Sequence, residues 1–92
     1  MRKVRRPTTR PSGHDRSPDI AFGQRLRFYR LARSLTQEQL AWSIGMSRVF
    51  ISELERGLRE PSLGTILRLA RALKISAALM ITEVEAQLPE KM

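Results

Sequence analysis

The stretch Thr36–Gly57, T-Q-E-Q-L-A-W-S-I-G-M-S-R-V-F-I-S-E-L-E-R-G, constrains this chain more than any other. Thr36 and Gln39 have the spacing of a capping box, in which the Thr hydroxyl takes the N3 amide and the Gln side chain reaches back to the N-cap amide. Leu40, Ala41 and Ile44 give the helix that follows a narrow apolar stripe. Gly45 comes just after the last apolar residue, where a left-handed backbone costs glycine least. Ser47 is a good N-cap for a further helix, with Ile51 and Leu54 facing inward and Gly57 able to end it. Two short helices joined by a Gly-containing turn of about three or four residues form a helix-turn-helix. This plan leaves Arg48, Val49, Ser52 and Glu53 on the outward face of the second helix.

The rest of the chain reads as support for that unit. Ser17-Pro18 has the pattern of an N-cap with Pro at the first helical position. A helix over about Pro18–Arg33 follows, with Phe22, Leu26 and Tyr29 on one face. Pro61-Ser62 restarts the chain, and Leu63, Ile66, Leu67, Ala70 and Leu73 give the next helix a core stripe. Ser76 caps a fifth helix carrying Leu79, Met80 and Ile81, which frays after about Gln87. No strand pattern and no internal repeat occur. The expectation is an all-α, five-helix domain over residues 18–82, with the helix-turn-helix at about 37–56. Residues 1–17 form a basic disordered tail, and residues 83–92 form a helix end and tail.

Composition narrows the function classes. Ninety-two residues make one small domain. Without Cys there is neither a disulfide nor a thiolate metal site, and the single His14 makes a zinc site implausible. No metal or cofactor is expected. No apolar run approaches the roughly 18–20 residues of a membrane span, and no apolar segment follows the basic N-terminus as in a secretion signal. A cytoplasmic protein is therefore expected. The carboxylates sit on separate amphipathic helices, and no nucleophile–base pair or Gly-rich phosphate loop is present. An enzyme is not expected. The net charge is +8, from 17 Lys+Arg against 9 Asp+Glu, and such a small basic domain attracts polyanions. Half of that excess lies within residues 1–19, where Arg2, Lys3, Arg5, Arg6, Arg10 and Arg16 face only Asp15 and Asp19.

The segments T-Q-E-Q-L-A, G-M-S, I-S-E-L-E-R-G, E-P-S-L and L-A-R-A-L agree in order and spacing with one family. Over about Phe22–Ile81 the chain resembles the phage-repressor-type, Xre or Cro-like, helix-turn-helix proteins. Ser34 departs from the pattern, since the family usually closes its first helix with Gly there. The resemblance implies a compact lambda-repressor-like fold and a bacterial or phage transcriptional regulator of double-stranded DNA. Its third helix, about 47–56, would lie in the major groove while the second crosses the backbone.

Carried onto this sequence, Arg48, Val49, Ser52 and Glu53 would face base edges. Arg can grip guanine O6 and N7, Val can touch a thymine methyl, and Glu can accept from cytosine N4. Gln37, at the positive end of its helix, would sit beside a phosphate. Ser47, Arg56 and Arg59 would meet the backbone, which positions the protein without reading sequence. Two roles are open to Phe50, packing at the DNA flank or in the core. Trp42 stands where the family commonly has a polar residue, and either lies over its own helix or meets a partner. Arg30 and Glu55 occupy positions that pair as a buried salt bridge in similar proteins.

A single such unit reads only a few base pairs, so a homodimer on an inverted repeat is expected. Ala77, Met80, Ile81, Val84 and Leu88 recur at helical spacing. Met80, Val84 and Leu88 are candidates for the dimer surface, the alternative being that the stripe packs on the domain's own core. Three functional readings follow. The first is a sequence-specific regulator controlled by its own concentration, as in phage repressors and restriction-modification controller proteins. The second is an antitoxin with a toxin partner. The third is a nonspecific binder acting through the Arg-rich tail, which could also be an arm reaching the minor groove.

Overall fold

In the computed structural model, which describes residues 17–89, five helices are present: α1 (Pro18–Ala32), α2 (Gln37–Ser43), α3 (Arg48–Glu55), α4 (Leu63–Leu73) and α5 (Ala77–Gln87). There is no strand among the described residues. The expectations for the basic segment, including His14 and the arm, concern residues 1–16 and lie outside the described residues. So does the chain end from residue 90.

Each helix begins at a hydroxyl cap. Ser17, Thr36, Ser47, Ser62 and Ser76 all accept from the backbone N–H three residues on. At Thr36 the capping box is complete: Gln39 N–H donates to Thr36 Oγ1 (3.0 Å) and Thr36 N–H to Gln39 Oε1 (2.9 Å). Gly45 and Gly57 close α2 and α3 with φ of 72° and 74°, a region that costs a side-chain-bearing residue about 1–2 kcal/mol. Ser34 sits at φ 58° where the family pattern has Gly, and so carries that cost itself.

The core gathers Phe22 and Leu26 of α1, Leu40 of α2, Ile51 and Leu54 of α3, Leu69 and Leu73 of α4, and Met80 and Val84 of α5. α1 packs on α3 and α5, and α2 packs on α3. Two stripes differ from expectation. On α4, Leu63 and Leu67 are exposed, while Leu69, together with Thr65, is buried. The helix is rotated from the expected stripe because its polar Thr65 turns inward, its hydroxyl accepting from Ser62 Oγ (3.0 Å) at the helix start.

On α5, Leu79 and Ile81 are exposed, whereas Met80 (0% exposed) and Val84 (7%) lie inside the domain. This corrects their assignment to a dimer surface. Both belong to the protomer's own core, and Leu88 is half-buried against it. α5 turns Met80 and Val84 towards its packing against α1 and α4 and leaves Leu79 and Ile81 as its large exposed apolar side chains.

The contact between α1 and α3 is close. A Cβ on Gly23 would lie 2.3 Å from the carbonyl oxygen of Leu54 and 2.7 Å from that of Glu55. This approach brings Arg30 over the end of α3. A second tie joins α1 to α5, where Glu83 Oε1 accepts from Tyr29 Oη (2.7 Å) and Arg25 Nε (3.1 Å).

Candidate nucleic-acid interface

The inner face of α3 is fixed by a charged pair. Arg30 Nε donates to Glu55 Oε2 (2.5 Å), its Nη2 to Oε1 (3.0 Å), and its Nη1 to the Leu35 carbonyl (2.8 Å). The two side chains are 7% and 2% exposed. A two-pronged guanidinium–carboxylate contact is strong and directional, so α1, the loop before α2 and the end of α3 are held as one body.

Gln37 adds to this lock, donating from Nε2 to Glu55 Oε1 (3.0 Å). The resemblance places Gln37 beside a phosphate at the positive end of α2. Here it is half-buried and turned to Glu55, because that carboxylate has an acceptor oxygen that Arg30 alone does not saturate. Spacing carries no signal of this third member, since Gln37 and Glu55 are eighteen residues apart.

With Ile51, Leu54 and Glu55 turned inward, the outer arc of α3 carries Arg48, Ser52, Arg56, Val49 and Glu53. At about 100° per residue these five cover roughly 140° of the helix surface. Arg48, Val49 and Arg56 are exposed, and Ser52 and Glu53 are half-buried. The Ser47 hydroxyl accepts from Phe50 N–H (3.0 Å), so its remaining capacity is as a donor.

The rear of this arc is organised by a residue from the loop after α3. Arg59 donates from Nε to Glu53 Oε1 (3.0 Å), and its Nη2 lies 2.9 Å from the same oxygen. Its guanidinium carbon stands 5.2 Å from the centroid of the Phe50 ring. Phe50 itself is half-buried against the core. Glu53, Phe50 and Arg59 therefore form one cluster, although their sequence pattern suggested three separate roles. Only the course of the loop past Gly57 brings Arg59 back over α3.

Trp42 stands beside the start of α3. It is 86% exposed and shares an open groove with Gln39, Met46, Ser47 and Arg48. Among the described residues no group of His, Cys, Asp or Glu could hold a metal ion, and no helix is long and apolar enough to cross a membrane.

A short capped helix, a glycine turn and a second helix with an open basic arc define a helix-turn-helix domain. The helix-turn-helix family model matches residues 26–80. The chain is 40% identical over 57 residues to the control protein C.BamHI of Bacillus amyloliquefaciens, covering 61% of this chain and 70% of that one. It is 39% identical over 64 residues to the immunity repressor of Bacillus phage phi105, covering 70% of this chain but only 44% of the repressor. The crystal structure of the restriction-modification controller protein C.AhdI from Aeromonas hydrophila superposes with a TM-score of 0.67 at 42% identity, covering 72% of this chain and 96% of that one. The chain belongs to the helix-turn-helix family of DNA-binding transcriptional regulators.

Proposed function

We propose that this regulator reads a specific double-stranded DNA sequence by placing α3 in the major groove, and that it does so as a cytoplasmic homodimer on an inverted repeat. The observation that carries the reading is the two-sidedness of α3. Its inner face is held by the Arg30–Glu55 pair and Gln37, while Arg48 and Val49 stand exposed and Ser52 half-exposed on the other. A rigidly held helix with unpartnered base-reading groups suits the groove, where each good bidentate contact discriminates by about 1–3 kcal/mol. Arg56 beside that arc suits a phosphate contact.

Two copies would read half-sites about one DNA turn, roughly 34 Å, apart. Since Met80 and Val84 are internal, pairing would draw on exposed apolar side chains, among them Leu58, Leu63, Leu67, Leu79 and Ile81. A monomer by light scattering at micromolar concentration overturns the dimer.

Within this class the likeness to C.AhdI and C.BamHI, matched over 96% and 70% of their lengths, favours a restriction-modification controller over a phage repressor, of which only 44% is matched. The test is selection and sequencing of duplexes bound from a random pool at about 150 mM salt, where purely electrostatic binding is weak. An enriched inverted repeat, lost in Arg48→Ala, supports the reading. No enrichment overturns it and redirects attention to co-purification with a toxin partner or to charge-driven binding.

A further inference from the structure

The Arg59 side chain is half exposed, and its guanidinium is held within the domain. Its guanidinium is already engaged, by Glu53 Oε1 through two nitrogens (3.0 and 2.9 Å) and by the face of Phe50 at 5.2 Å. An arginine over an aromatic face gains from both charge and stacking. It is also pre-organised, because Phe50 is itself packed against the core. Both polar contacts fall on the same carboxylate oxygen. Among the described residues, Glu53 Oε2 accepts no side-chain hydrogen bond. Glu53 lies on the outer arc of α3, in the register of Val49 and Arg56.

We propose that Arg59 is a positioning residue for base reading, and this rests on the proposed placement of α3 in the major groove. Arg59 occupies Oε1 and turns Oε2 outward, so that Glu53 accepts a hydrogen bond from the exocyclic amine of one base, cytosine N4. A bare carboxylate entering a groove lined by phosphates meets repulsion. The adjacent guanidinium neutralises it and at the same time denies it rotamers that point along the helix. Phe50 fixes the guanidinium in turn. The specificity of α3 at that base therefore depends on a residue four positions beyond the end of the helix.

The experiment is the same duplex selection, run on the full chain and on Glu53→Ala, Arg59→Ala, Arg59→Lys and the Glu53→Ala/Arg59→Ala pair, with melting curves to establish that each is folded. Binding of the enriched duplex is then measured against salt. The expected result is a cytosine position whose preference, on the order of 5- to 150-fold in the parent chain, falls towards unity in Glu53→Ala and in Arg59→Ala. Preferences elsewhere persist, and the double variant is no worse than either single one. Arg59→Lys keeps the charge but not the planar fork, and loses the same preference with an unchanged salt slope.

If Arg59 instead grips phosphate, Arg59→Ala weakens all sequences alike and the salt slope drops by about one, while Arg59→Lys stays near the parent. That pattern overturns the proposal, as does an unchanged preference in Glu53→Ala. Enrichment of adenine at the dependent position, read through its N6 amine, overturns the cytosine assignment. If the parent chain enriches nothing, the major-groove reading itself fails, which separates the two failures.

Discussion

Replacing Arg30 by Ala removes three hydrogen bonds at once: two to Glu55 at 2.5 and 3.0 Å, and one to the Leu35 carbonyl at 2.8 Å. What remains beside Glu55, whose side chain is 2% exposed, is the neutral amide of Gln37 and the largely solvated Arg27, 3.9 Å away. Neither compensates a buried carboxylate. Breaking a buried pair from one side costs about 3–5 kcal/mol, because the surviving charge is left without its partner. In a domain of this size each kcal/mol moves Tm by about 4–8 °C, so the expected loss is roughly 12–40 °C.

Thermal melts followed by circular dichroism, on Arg30→Ala, Glu55→Ala and the apolar pair Arg30→Met/Glu55→Leu, measure this directly. The apolar pair is expected to lie well above either single variant, since it leaves no buried charge behind. An Arg30→Ala chain melting within about 4 °C of the parent, or a double variant as unstable as the sum of the single ones, refutes the reasoning. Any loss of DNA binding in Arg30→Ala should vanish once binding is measured well below its own Tm.

Four further outcomes are expected. Gly23→Ala places a Cβ 2.3 Å from a backbone carbonyl that cannot swing aside, and should cost at least about 1–3 kcal/mol in a urea melt. Ser34→Gly relieves a left-handed serine at φ 58°; the gain of about 1–2 kcal/mol is partly offset by the freer unfolded chain, so a net stabilisation of about 0.5–1 kcal/mol should appear in the same assay. Met80→Ala should cost about 2–5 kcal/mol and leave the oligomeric state by light scattering unchanged, since Met80 is core. Arg48→Ala should leave the unfolding free energy within about 0.5 kcal/mol of the parent's, because Arg48 is exposed, yet abolish enrichment of the operator in duplex selection.

The sequence alone was sufficient where the signals are local. Five hydroxyl caps, the Thr36–Gln39 box and the glycines at 45 and 57 each act within a few residues, and they set where every helix starts and where α2 and α3 stop. The helical period of Leu40, Ile44, Ile51 and Leu54 likewise turned α3 so that Arg48, Val49 and Ser52 face outward. The pairing of Arg30 with Glu55 follows from the family resemblance and not from spacing.

What only the tertiary structure decided are choices between equivalent local patterns. Leu63 and Leu67 are as apolar as Leu69, and Met80 is as apolar as Ile81, so periodicity cannot say which of them a neighbouring helix will cover. That depends on the angle at which α4 and α5 meet α1. The same holds for polar groups. Gln37 bonds Glu55 instead of facing solvent, and Arg59 folds back onto Glu53 and Phe50, because the chain path brings together groups far apart in sequence. A hydrogen bond forms where donor and acceptor come within about 3 Å, and one-dimensional spacing carries no information about that distance once a turn intervenes.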